Sequence, residues 1–135
     1  MRTVIRIRRE ILEWLSAEAL RSSSHECCGL LAAVGDVITV VFPAQNVLAS
    51  ATAFEIAPEA LFSIFRSIRA GGLEHQGIYH SHPGGPATPS PTDIERAYYP
   101  DAAYFILSPA SKEQVTIRAF SIRDGRCEEL TIEPV

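Results

Sequence analysis

The chain has 135 residues, enough for one domain with a buried core, and residues 1–135 read as a single domain. Hydrophobic residues make up 47% and charged residues 21%, the balance of an ordinary globular protein rather than a disordered or fibrous one. A formal net charge of −4 argues against a nucleic-acid-binding surface as the main business of the chain.

The cysteines are Cys27, Cys28 and Cys127. Their number is odd, two are adjacent, and no C-x-x-C occurs, which suggests reduced thiols and a cytoplasmic location. Arg2, Arg6, Arg8 and Arg9 lie near the start, but Glu10, Glu13 and Glu18 interrupt the apolar segments behind them. That pattern is neither a signal peptide nor a membrane span.

In chain order, Val4, Ile5 and Ile7 alternate partly with arginines and predict a first strand over residues 3–8, near a sheet edge. Ile11, Leu12, Leu15, Ala19 and Leu20 recur at helical spacing over residues 10–22, with Trp14 elsewhere on the wheel. The apolar run after Glu26 and the strand-like Val37-Ile38-Thr39-Val40-Val41-Phe42 read as a hairpin turning at Gly35-Asp36. A polar connector containing Asn46 follows, then a brief extended piece, Phe54-Glu55-Ile56.

Pro58 suits the first position of a second helix, with Leu61, Phe62, Ile64, Phe65 and Ile68 on its apolar face and Gly71-Gly72 as its stop. Residues 73–79 form a strand that runs into His80. Ser90-Pro91-Thr92-Asp93 has the form of a helix start, with Ser at the N-cap, Pro at N1 and an acid at N3. A buried strand over residues 102–108 comes next. A second hairpin, residues 114–122 and 127–132, turns at Asp124-Gly125. The order is β-α-β-β-α-β-α-β-β-β, an α/β chain with a largely antiparallel, partly parallel sheet flanked by helices.

Chemistry concentrates in His80-Ser81-His82-Pro83 and the Gly/Pro-rich loop leading to Ser90 and Asp93. Side chains two apart on a strand share a face, so His80 and His82 at a strand end aim both rings into one place. A stiff loop and a helix start can return Asp93 to the same point. Two imidazoles and a carboxylate suit zinc better than calcium or magnesium and leave one coordination position open. Hydrolysis at such a centre needs a base and an oxyanion donor. Glu26 is the candidate base, because it opens an apolar strand where an acid has no structural reason to stand. Ser90 is the candidate donor.

These residues also have plainer readings. Ser90 and Asp93 form a helix cap whatever else they do. His25 is a rival to Glu26 but points the other way in an extended segment. Cys27 and Cys28 read as small strand residues rather than ligands or nucleophiles. His75 reads as a surface residue. Gly84-Gly85 is either a mobile lid or a place where backbone passes close to the site.

His80-x-His82, seven residues, Ser90, two residues and Asp93, with Glu26 ahead of Cys-Cys-Gly-Leu-Leu, resemble the JAMM (MPN-plus) zinc metallopeptidase family in its compact prokaryotic form. The resemblance runs along nearly the whole chain and implies a cytidine-deaminase-like α/β fold. It implies one zinc per chain on His80, His82 and Asp93, with Glu26 as general acid/base and Ser90 steadying the oxyanion. The implied reaction cuts the peptide or isopeptide bond after the C-terminal Gly-Gly tail of a ubiquitin-like, sulfur-carrier protein. No nucleic acid or membrane partner is implied, and the oligomeric state is open. The alternatives are a non-catalytic MPN-type interaction domain, which usually lacks part of the ligand set, and a RadC-like protein, which usually adds a helical N-terminal region. A zinc nucleobase deaminase would need His-x-Glu and Pro-Cys-x-x-Cys, and neither occurs.

Overall fold

The computed structural model describes residues 2–111 and 114–135. Among these, the elements run β1 (Val4–Ile7), α1 (Arg9–Arg21), β2 (Cys28–Val34), β3 (Val37–Ala44), α2 (Pro58–Ala70), β4 (Glu74–Ser81), α3 (Pro91–Glu95), β5 (Ala103–Ser111), β6 (Gln114–Arg123) and β7 (Arg126–Pro134). The order matches the sequence pattern element for element. No helix among the described residues is long and apolar enough to cross a membrane.

The strands lie side by side as β1-β3-β2-β4-β5-β6-β7, and the sheet closes into a barrel. The β2/β3, β2/β4, β5/β6 and β6/β7 pairs are antiparallel, while β4/β5, β1/β3 and β1/β7 are parallel. β1 is therefore not an edge strand: it hydrogen-bonds β3 on one side and β7 on the other. Its alternating arginines suggest an edge because one of its faces meets solvent, and a one-sided pattern says nothing about neighbours in the plane of the sheet.

Both faces of the central strands are covered, so β2 and β5 are apolar almost without alternation. Leu31, Tyr79, Phe105 and Leu107 turn to one face and pack with Leu15 and Ala19 of α1. Leu30, Ile78, Tyr104 and Ile106 turn to the other, under Ile68, Leu61, Ile64 and Phe65 of α2. Trp14 belongs to the α1 face after all, edge-on to Tyr79 at 6.2 Å. Leu20 does not and is exposed, since it stands about 140° round the helix from Leu15 at 3.6 residues per turn. His75 is also not a surface residue. It is half-buried on β4 between Phe65 and Tyr99, with ring centroids at 5.1 and 5.3 Å.

Two turns explain how the hairpins close. Asp124 and Gly125 have φ of 53° and 75°, the paired positive angles of a tight hairpin that Asp-Gly adopts readily. Gly35 takes φ 64° between β2 and β3. Gly29 is needed for a different reason. A Cβ there would stand 2.5 Å from the Phe42 carbonyl oxygen and 2.5 Å from the fully buried Tyr79 ring. Gly29→Ala should therefore lower stability by about 1–3 kcal/mol, the usual cost of overpacking, read as a drop in the urea midpoint at unchanged slope. An unshifted midpoint would mean that the β2–β3–Tyr79 packing relaxes more freely than this contact allows.

Candidate metal centre

The site is built where β4 ends. Antiparallel register pairs Cys28 with His80 and Gly29 with Tyr79. Continued outward, that register sets Glu26 across from His82. Two hydrogen bonds extend the ladder: Ser81 N–H donates to the Cys27 carbonyl at 3.0 Å, and Cys27 N–H donates to Ser81 Oγ at 2.9 Å. Ser81 is fully buried. The residue between the two histidines thus ties the Glu26 segment to the histidine strand.

His80 lies inside β4, and His82 lies just past its end. The loop that follows is anchored at several points. His82 N–H donates to the Leu107 carbonyl at 2.8 Å, Gly85 N–H to the His82 carbonyl at 3.2 Å, and buried Ser108 Oγ to the Gly85 carbonyl at 2.6 Å. His82 Nδ1 is 2.8 Å from the Pro86 carbonyl. A carbonyl can only accept, so Nδ1 carries a proton, and in the neutral ring Nε2 is left with its lone pair facing the site.

α3 brings Asp93 back. Ser90 is its N-cap: Asp93 N–H donates to Ser90 Oγ at 3.0 Å, and Ser90 N–H donates to Asp93 Oδ2 at 2.9 Å. The cap and the candidate ligand are therefore the same carboxylate. Ser90 Oγ accepts in this cap, and its own hydrogen remains available to donate elsewhere.

His80 Nε2, His82 Nε2 and Asp93 Oδ2 form a near-equilateral triangle with sides of 3.1, 3.1 and 3.0 Å. A tetrahedral ion with bonds of about 2.0–2.1 Å needs ligand atoms about 3.3 Å apart. These three atoms can hold such an ion with only slight opening. Among the described residues they are the group of histidine, cysteine and acidic side chains that could hold a metal. Burial would raise the Asp93 carboxyl, but hydrogen bonds from His80 and His82, the charge of His80 and the Ser90 N–H override it and hold the group below the usual carboxylate range. Burial likewise lowers His80, with Asp93 opposing, while for His82 the hydrogen bonds and charge of Asp93 outweigh burial and raise it.

Glu26 stands beside this triangle, 1% exposed. Its Oε1 is buried without a hydrogen-bond partner among the described residues. Burial pushes its carboxyl up to about 7, with Asp93 adding to the rise and His82 opposing it. A carboxyl with that balance can take up and release a proton near neutral pH. Phe54 stacks on the His80 ring at 4.7 Å. A cavity of about 270 Å³ opens next to His80 and Asp93, walled by Leu30, Phe54, Ile56, Leu61, Tyr99 and Tyr104.

The structure thus brings together His80, His82, Asp93, Ser90 and Glu26, from three separate stretches of chain. His25 lies outside, exposed and 3.1 Å from Ser24 Oγ. Sequence pattern alone assigns no part in the site to Ser81, Ser108, Phe54 or Asn46. Each acts through backbone or ring contacts, and a lone serine, phenylalanine or asparagine in a loop gives no periodic signal for that.

A family model for prokaryotic homologs of the JAB domain matches residues 8–123. A desampylase from Haloferax volcanii is 39% identical over 105 residues, 76% of either chain. A probable TtuB-protein conjugate cleaving protease from Thermus thermophilus is 36% identical over 91% of this chain and 79% of its own length. A CysO-cysteine peptidase from Mycobacterium tuberculosis is 31% identical over 98% and 90%. Among solved structures, a protein from Desulfitobacterium hafniense superposes with a TM-score of 0.87 at 29% identity, covering 97% of this chain and 92% of that one. A JAB1/MPN domain protein from Archaeoglobus fulgidus gives 0.61 at 19% identity over 96% of each chain, a likeness of fold.

The family match and the peptidase and protease relatives define the class as a peptidase of the JAMM type. The chain belongs to the prokaryotic JAB-domain (JAMM/MPN) family.

The cysteines stand apart from this chemistry. Cys28 is buried and its thiol is pushed up to about 12 by burial, with the charges of Cys27 and Glu26 adding to the shift. Cys127 is exposed on β7. A thiol reagent at neutral pH should modify Cys127 first and reach Cys28 only on unfolding, as read by peptide mass. Fast native-state labelling of Cys28 would mean that the start of β2 opens.

Proposed function

We propose that this chain is a zinc-dependent peptidase that hydrolyses the peptide or isopeptide bond after the C-terminal Gly-Gly tail of a ubiquitin-like, sulfur-carrier protein. The observation that carries the reading is the unpartnered, buried Glu26 carboxyl held against the His80–His82–Asp93 triangle. A buried acid costs stability unless it is paired, so its retention here fits a working proton carrier. Zinc, when held by His80, His82 and Asp93, supplies Lewis acidity toward a carbonyl and toward water.

The chain's own groups then divide the proton work. Glu26 removes a proton as the water oxygen bonds to the carbonyl carbon. It delivers that proton to the departing nitrogen as the C–N bond breaks, leaving a carboxylic acid and an amine, and the acid then gives up its proton. The free Ser90 hydroxyl hydrogen is the donor for the developing oxyanion while Oγ keeps its cap to Asp93. Asp93, held ionised by the two histidines, stays a ligand rather than a second acid.

The cleft suits a thin, extended tail. Glu55 N–H donates to Asn46 Oδ1, and the Glu55 carbonyl accepts from Val47 N–H. In an extended chain the neighbouring peptide groups of Phe54 and Ile56 point the opposite way, and both residues wall the cavity. A substrate strand can pair there, and glycines at its end can pass the His80 ring without a clashing Cβ. The named relatives favour carrier conjugates as the substrate class: one is described as cleaving TtuB–protein conjugates and another as a CysO–cysteine peptidase.

Purified protein should hold about one zinc per chain, and His80→Ala or Asp93→Ala should lose most of it by metal analysis. Absence of zinc from the wild type under non-chelating conditions would remove the site. Glu26→Ala should keep zinc and lower hydrolysis by about 10²–10⁴-fold, and loss of zinc in that variant would make Glu26 a ligand instead. The direct test is incubation with Gly-Gly-ended carriers bearing C-terminal extensions, read by intact mass. Release of a carrier ending in Gly-Gly, stopped by chelator and restored by zinc, is the expected result. Zinc-loaded protein that cleaves none of them would overturn the reading.

A further inference from the structure

The connector between β3 and α2 contains one side chain whose contacts reach both halves of the cleft. Asn46 is 5% exposed. Its Nδ2 donates to the Glu26 carbonyl at 3.1 Å and the Ala53 carbonyl at 3.0 Å, with the Ser50 carbonyl at 3.5 Å. Its Oδ1 accepts from Leu48 N–H and Glu55 N–H, both at 3.1 Å. Two donors and two lone pairs are all that an amide has, and all are used on backbone. Glu26 N–H donates in turn to the Ser50 carbonyl at 2.8 Å. Glu26 is thus fastened at both of its peptide groups to the loop that Asn46 organises. Phe54, which stacks on His80, lies between Ala53 and Glu55, two of the residues that the amide grips.

We propose that Asn46 is a positioning residue for catalysis: its single amide locks the Glu26 backbone and the cleft-wall segment 53–55 into one rigid unit over the metal ligands. The inference rests on Glu26 being the proton carrier and adds what holds it in register. Nothing else among the described residues bridges those two segments through a side chain. Only a primary amide on a short stem fits. Aspartate offers no N–H and would set a carboxylate against carbonyl oxygens. Alanine leaves four peptide groups without their partner at a buried position. With the amide removed, Glu26 and the 53–55 wall shift independently, and a misplacement of about 1 Å at such a site can cost about 10²-fold in rate.

The test compares wild type, Asn46→Ala, Asn46→Asp and a loop control, Thr52→Ala, whose exposed hydroxyl meets Ser50 Oγ and none of the peptide groups that Asn46 holds. Each is assayed for zinc content, thermal midpoint, kcat and KM on a cleavable carrier fusion, and amide hydrogen exchange. Both Asn46 variants should keep zinc, lose about 10–100-fold in kcat with a several-fold rise in KM, and exchange faster at Glu26, Leu48 and Glu55 together. Thr52→Ala should match wild type. In the wild type, the amides of Glu26, Leu48 and Glu55 should open in one step with a common denaturant dependence, a measurement that survives even if the variants do not fold. Independent opening of those amides, or a lowered thermal midpoint with kcat unchanged, would overturn the proposal. Wild-type protein that cleaves no carrier yet shows the common opening would overturn the peptidase reading and leave the clamp standing.

Discussion

Everything at the site depends on one register, the pairing of Cys28 with His80 between β2 and β4. Backbone hydrogen bonds in an antiparallel ladder fix register strongly when both faces are buried, because a one-residue slip exchanges the two faces. Here a slip would send Leu30 and Leu31 to each other's sides and turn Glu26 away from His82. Glu26 and the candidate metal ligands are therefore aligned by the hydrophobic core rather than by contacts between themselves. Ser81 finishes the alignment by offering Oγ to Cys27 N–H one step past the last regular pair.

The second dependence is on a loop that is stiff without being regular. His82, Gly85, Pro86 and Ser108 form a short chain of hydrogen bonds that fixes one imidazole tautomer and holds the loop to β5. The Ser90–Asp93 capping box then starts α3 at the distance the ligand triangle needs. Outer partners of this type orient ligands and raise their basicity. His82 has such a partner. Nδ1 of His80 has none among the described residues, and the Phe54 ring packed on it does the orienting instead.

Much of this was legible in the sequence. Ser-Pro-Thr-Asp spells a helix start, Asp-Gly a tight turn, and two histidines two apart spell a shared face, each from local chemistry alone. The ten elements follow in order for the same reason. What local chemistry does not encode is which elements neighbour one another. β1 looked like an edge because its pattern records solvent on one face and not a strand on each side. His75 looked exposed because nothing near it in sequence announces that Phe65 and Tyr99 pack around it. Asn46, Ser81 and Ser108 were passed over because their partners are backbone groups, distant in sequence for Asn46–Glu26, Ser81–Cys27 and Ser108–Gly85. Residue type alone does not distinguish a buried amide with every bond made from an ordinary loop polar residue.

The closure of the barrel carries a consequence for how the molecule forms. Arg6 and Glu133 meet across 127 positions of sequence, and β1, already able to pair with β3, gains its second neighbour only once β7 exists. The helix and strands that carry the candidate metal ligands come earlier, but His82 is tethered to Leu107 and β5 is held in turn by β6. Long-range pairings of this kind close slowly, because chain entropy must be lost before the contacts return it. A growing chain thus leaves β1 and β6 each short of one neighbour until synthesis is nearly complete. The His80–His82–Asp93 triangle is then completed late, braced by strands that follow it in the chain.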